Sequence, residues 1–203
     1  MSRDPQRAAT QFFGGRVCLD FANTMDWRTS DAPQELLPNY AALLTWSGNR
    51  RTLPAAAIAR LRPRAAQPEA AAVLARARAL RTEIWQAAEA LMQGAPVTLV
   101  AFNRHLAALP AQPSLVEGET SYLHDLPGAA FDEPLWPVLW SLTALLTSVD
   151  AGRIGCCHGA GCGWFFVDES PNRTRLWCSS EVCGNRERAR RAYAKRRGGS
   201  MAP

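Results

Sequence analysis

Histidine and lysine are nearly missing from this chain of 203 residues: His105, His124 and His158 lie far apart, and Lys195 is the single lysine among 23 basic side chains. Histidines so scattered offer no histidine-based catalytic metal motif, and neither a nucleophile elbow nor a phosphate-cradling glycine loop is present. With so few catalytic parts, an enzyme is not the expected reading. Long apolar runs are lacking too. The most apolar stretch, 135–149, is too short and too interrupted to span a bilayer. The opening MSRDPQRAATQFF has no apolar h-region and no small-residue cleavage site. A cytoplasmic protein with reduced cysteines and no membrane partner is therefore expected. Internal repeats, low-complexity linkers and coiled-coil heptads are absent as well, so nothing in the sequence announces an oligomer.

What is present suits a globular protein. Apolar residues make up 47% and charged residues 20%, enough for a buried core in one or two domains. The net charge of +5 is unevenly spread. Residues 171–203 carry nine basic side chains against two acidic ones, a net of +7, whereas residues 1–170 carry 14 against 16, a net of −2. A mildly acidic body with a strongly basic end is the asymmetry of a nucleic-acid contact segment, although a solvated tail would give the same composition.

Hydrophobic periodicity predicts a mainly helical α+β body with a few short strands. RVCLDFANT (16–24) reads as a short buried strand over 17–21 running into a turn. Helices are expected over 39–48, 53–63, 68–94 and 95–110, a hairpin over 114–126 turning at Glu117-Gly118, and a buried helix over 133–150. In the longest helix, Val73, Ala77, Leu80, Ile84, Ala88 and Leu91 fall on one stripe and should be core. Trp136 and Trp140 also read as core. Apolar helix gives way to cysteine, glycine and charge near Ala151-Gly152, which divides the chain into domains at 1–151 and 152–203.

Four of the six cysteines cluster as Cys157-x4-Cys162 and Cys178-x4-Cys183. Two close thiol pairs joined by a hairpin-sized spacer are the donor set of a tetrahedral structural zinc site, with all four positions filled by protein. Glycines 159, 161 and 163 allow the first turn to bend sharply. WFFV (164–167), DESPN (168–172) and TRLWC (174–178) read as strand, turn and strand. Ser179-Ser180 can then cap a helix holding Cys183 in its first turn. Knuckle, hairpin and ligand-bearing helix follow one another in treble-clef order. Ligation through Cys156 would make the first gap x5, and His158 could substitute in principle. Cys157 is preferred because it makes both gaps equal. Cys18 reads as plain core.

On the helix from about 180 to 197, Arg186, Arg190, Tyr193 and Arg197 share one stripe, Arg188, Arg191 and Lys195 point roughly opposite, and Val182, Ala189 and Ala192 offer a small apolar side for docking. Arginine suits both phosphates and guanine edges. Candidate DNA contacts are Arg173, Arg175, Asn185, Arg186, Arg188, Arg190, Arg191, Lys195 and Arg197. Asn185 and Arg186 could instead brace the finger against the first domain, and RNA or an acidic protein surface could replace DNA as partner. In the body, Asp20, Asn23 and Thr24 follow the first expected strand and either cap a turn or line a pocket. With Arg16 and Trp27 they are the candidate contacts for a small-molecule effector.

Cys157, Cys162 and WCSSEVCGNRERARR together resemble the CGNR zinc-finger proteins, whose name matches Cys183-Gly184-Asn185-Arg186 here, and GWFFVDESPNRTRLWC fits the same pattern. GGRVCLDFANT is similar to the start of the ABATE domain, which precedes this finger in stress-related transcription regulators. The resemblance implies a regulatory or ligand-binding domain joined to a zinc finger that binds DNA. Cys156 departs from the family pattern, where a non-cysteine residue is expected.

Overall fold

The computed structural model of the chain describes residues 10–107, 109, 114–117, 122–125 and 130–198. Seven α-helices and three two-stranded antiparallel sheets occur among them. None of the helices is long and apolar enough to cross a membrane.

The expected strand at 17–21 is instead a helix, α1 (Val17–Ala22). Cys18, Leu19, Phe21 and Ala22 are buried at helical spacing, and an apolar run this short does not by itself distinguish helix from strand. Val17 is its single β-branched residue, so strand propensity adds little. The Asp20 carboxylate ties α1 down from outside: Gly14 N–H donates to one oxygen at 2.8 Å and Arg50 Nε to the other at 2.7 Å.

A two-stranded ribbon follows, β1 (Met25–Asp26) with β2 (Gln34–Glu35). Next come α2 (Tyr40–Asn49), α3 (Ala55–Leu61) and the long α4 (Pro68–Met92). Asn39 caps α2 by accepting from Ala42 N–H, and Pro68 takes the first position of α4, where its missing N–H costs nothing. The predicted stripe on α4 is buried from Val73 to Ala88, and Leu91 is half-buried. Helix α5 (Val100–Ala107) is shorter than the sequence pattern implied. The expected hairpin is present as β3 (Ser114–Glu117) and β4 (Tyr122–Asp125), while Gly118 of its expected turn lies outside the described residues. Helix α6 (Trp136–Leu146) runs through the core, with Trp136 buried and Trp140 packed against the same cluster.

Past the expected division at 151–152, β5 (Ile154–Cys156) pairs with β6 (Phe165–Val167), a π-turn covers Ser180–Gly184, and α7 (Asn185–Gly198) ends the described chain. β6 pairs backward with β5 rather than forward with 174–178, which forms no strand. The reason is visible at its other edge. Asn23 Nδ2 donates to Phe165 O and Asn23 Oδ1 accepts from Phe165 N–H, both at 2.8 Å, and Val167 N–H donates to Gly14 O at 2.9 Å. Residues of the body occupy the groups that a second hairpin strand would need.

Because successive side chains of a strand point to opposite faces, β6 serves two cores. Phe165 and Val167 join the helical body, whereas Trp164 and Phe166 join a separate cluster with Cys157, Cys162, Cys178 and Cys183. Asn23 is the pin that holds this wall in place. Replacing it with alanine strands a buried N–H and a buried carbonyl, each worth about 1–3 kcal/mol when unpaired. We expect Asn23→Ala to lose about 3 kcal/mol in urea unfolding; a loss below about 0.5 kcal/mol would contradict the pin.

Candidate metal centre

Three pieces of backbone deliver the four cysteines. Cys157 and Cys162 flank the turn of the β5–β6 hairpin, where Cys157 N–H donates to Trp164 O at 2.8 Å and Cys162 N–H to Gly159 O at 2.9 Å. Gly161 and Gly163 have φ of +74° and +64°, and a Cβ at Gly163 would lie 2.4 Å from Thr29 Cγ2. Only glycine satisfies both demands. Cys178 follows a segment held against the knuckle by His158 N–H donating to Leu176 O at 3.0 Å. Cys183 lies in the π-turn, which Ser179 caps by accepting from Val182 N–H at 3.2 Å.

The four sulfurs lie within 4.8 Å of one another and all four side chains are buried. Cys162 and Cys178 Sγ are 3.8 Å apart, Cys178 and Cys183 Sγ 3.5 Å. Four thiolates around zinc at about 2.3 Å would stand about 3.8 Å apart, so the set fits a tetrahedral ion. The thiols also polarise one another. Donation from Cys162, Cys178 and Cys183 holds Cys157 far below the ordinary thiol range, while giving its proton to Cys157 pushes Cys162 far above it. Four buried sulfur donors at this spacing suit a soft divalent cation.

Cys156 is outside the group. It ends β5, and its sulfur lies 4.0 Å from Arg28 Nη2. His158 is exposed and packs edge-on to Trp177. Cys18 is fully buried in α1.

The arginines divide sharply. Arg175 turns inward: its guanidinium donates to Val167 O, Phe13 O, Trp177 O and Cys178 O at 2.6–3.2 Å and covers the Phe166 ring at 4.2 Å. Three of these carbonyls, those of Val167, Trp177 and Cys178, belong to the two segments expected to pair as a hairpin. Arg186 also folds back, with Nη2 3.4 Å from Cys183 Sγ and Cζ 4.3 Å from the Trp27 ring. Asn185 Nδ2 donates to Glu181 O, and Arg190 pairs with the buried Glu187, which also accepts from Ala160 N–H at 3.1 Å. Arg173, Arg188, Arg191, Lys195 and Arg196 are exposed, and the side chain of Arg197 lies outside the described residues. Ala189 and Ala192 are exposed as well, so the small apolar side expected for docking is not used beyond the half-buried Val182; the helix is rooted through Glu187 instead.

The candidate effector contacts are likewise absorbed by the fold. Asp20 holds Gly14 and Arg50, and Asn23 holds Phe165. Thr24 Oγ1 donates to Phe21 O and accepts from the buried Arg81. Arg16 pairs with Asp150 and Glu169. Trp27 carries the Arg186 stack. Asn23, Arg16 and Trp27 thus tie the body to the segment that carries the cysteines, while Asp20 and Thr24 brace the body itself. Sequence reasoning missed Arg28, which donates to Gly163 O and Glu89 and stacks on Phe165 and Trp85. Its place beside Trp27, next to a turn, was the available signal.

Comparison with known families agrees with the motifs. Residues 15–149 match the ABATE family model, described as "Putative stress-induced transcription regulator", and residues 153–196 match the CGNR zinc-finger model. No curated protein matches the chain.

The geometry assigns the first sulfur to Cys157. Cys178→Ser should lose metal affinity well beyond the about 10–100-fold typical of losing an outer partner, while Cys156→Ser keeps wild-type metal stoichiometry by elemental analysis under reducing conditions. Equal loss in the two variants would contradict the assignment.

Proposed function

Since the chain belongs to the ABATE family and carries a CGNR zinc finger, we propose that it is a transcription regulator whose Cys157, Cys162, Cys178 and Cys183 hold a structural zinc ion and whose helix α7 contacts DNA. Bound zinc would supply cross-linking free energy and no reaction chemistry, because four thiolates leave no open position. The observation that carries the reading is a rigidly rooted helix with exposed basic residues. Arg188, Arg191 and Lys195 recur at i, i+3 and i+7, so they lie along one side of α7, and Arg173 adds a fourth cation from the preceding turn. This face replaces the stripe through Arg186, whose guanidinium is engaged at the sulfur cluster; Arg188 stays exposed while donating to Ser180 O and Asn185 Oδ1, and Arg190 is exposed while pairing with Glu187.

The body completes the reading as a sensor. A cleft of about 380 Å³ lies between the end of α4, α5 and α6, lined by Leu91, Val97, Phe102, Leu139, Leu142 and Leu146. Its lining would accept a small apolar molecule rather than a charged one. A non-enzymatic role is consistent with the buried carboxylates. Burial pushes both Asp20 and Glu133 up, but Arg50 and Arg60 hold them in ion pairs inside the fold rather than at an open site.

Phosphate contacts from the four cations Arg173, Arg188, Arg191 and Lys195 would give log K against log salt a slope of about −3.6. Removing Arg188, Arg191 and Lys195 together by alanine should reduce that slope by about 3 and weaken duplex binding at matched metal content, measured by fluorescence anisotropy. Unchanged binding would overturn this face as the contact. Binding abolished by excess RNA competitor would favour an RNA-interaction module instead.

A further inference from the structure

Arg186 is a cation placed against a sulfur that the metal would use. Its Nη2 donates to Cys183 Sγ at 3.4 Å, and its Cζ stands 4.3 Å from the Trp27 ring centre. Trp27 comes from the other end of the chain, in the loop between β1 and β2. That loop wraps the first cysteine turn: Arg28 N–H donates to Cys162 O at 3.2 Å and Thr29 N–H to Gly161 O at 3.3 Å. A Cβ at Gly161 would lie 2.9 Å from Trp27 Cε3, so the indole lies directly on the knuckle. Trp27 itself has φ of +53°, a left-handed conformation that a bulky residue adopts only where its surroundings impose it. Here Ser30 N–H and Oγ both donate to Trp27 O, at 2.9 and 2.8 Å.

A divalent ion held by four thiolates leaves a net charge of −2 inside a buried cluster, where uncompensated charge is costly. Arg186 is the guanidinium in contact with one of those sulfurs, and the indole face fixes it by cation–π attraction. From this geometry we infer that Arg186 and Trp27 form a positioning pair that sets how tightly the cysteine cluster retains its metal, so that the β1–β2 loop of the body controls metal retention in the finger. Arg186 thereby acts on the cluster rather than on nucleic acid, and movement of the Trp27 loop would loosen the metal without breaking any sulfur ligand.

The inference rests on the metal reading above, and its test separates the two. Full-length protein is loaded with Zn²⁺ and release into excess chromogenic chelator is timed under reducing conditions. Arg186→Gln and Trp27→Ala should each speed release about 10-fold or more, as loss of an outer partner does at other metal sites. The double variant should exceed the faster single variant little, because both act through one stack. Arg186→Lys and Trp27→Phe, which keep the charge and the ring, should fall between and guard against a folding defect in the harsher pair. In Co²⁺-loaded protein, Arg186→Gln should move the thiolate-to-metal charge-transfer band to lower energy, since the sulfur loses a cationic donor. Zinc-loaded Arg186→Gln should keep the salt slope of nucleic-acid binding, whereas a lost phosphate contact lowers it by about 1. Release within about twofold of wild type across the folded variants, with the cobalt band unmoved, overturns the pair. A wild-type chain that takes up no metal overturns the metal reading itself.

Discussion

β6 has no solvent face. Phe165 and Val167 lie in the helical core and Phe166, with the preceding Trp164, in the cysteine core, so the three residues of the strand form a wall common to both. Both edges of that wall are also occupied, one by β5 and the other by Gly14 and Asn23. A strand enclosed on two faces and two edges cannot form until both cores do. The rest of the molecule follows from this constraint, because the metal centre and the body must then share one folding event.

The electrostatic organisation agrees with the packing. The basic end of the chain is not a uniform charged tail. Arg175 donates to the carbonyls of Val167 and Cys178, Arg186 faces sulfur, and Arg190 pairs with the buried Glu187, whose carboxyl is held below its usual range by Ala160 N–H and then by Arg190. These three residues root the helix. On α7 Arg186 turns to the cluster, whereas Arg188, Arg190, Arg191, Lys195 and Arg196 are exposed. A rod held in this way presents charges at fixed spacing, which a loose tail of equal charge does not.

Much of this was legible in the sequence. The cysteine spacing named the four sulfurs and chose Cys157 over Cys156, because ligand spacing is a local property of two tight turns. The long amphipathic helix and the serine cap before Cys183 were equally local. What was not legible involved partners distant in sequence. VCLDFA reads equally well as strand or helix until its neighbours are known, and α4 and α6 then bury it as a helix. The spacer had the composition of a hairpin, yet Asn23 and Gly14, more than 140 residues away, claimed its edge. Arg175 and Arg186 looked like their exposed neighbours, since nothing in an arginine run says which side chains turn inward. The polar residues after Phe21 hydrogen-bond within the fold, Asn23 to Phe165 and Thr24 to Phe21 and Arg81, a role that sequence alone cannot separate from ligand contact.

Amide hydrogen exchange across the whole chain, before and after a chelator strips the metal, tests the shared folding event most directly. The account predicts that protection falls not only over 157–184 but also over 17–30 and 165–167, because β6 and its pins cannot persist against an empty cluster. Native protection retained over 17–30 and 165–167, with loss confined to the C-terminal segment, would contradict it.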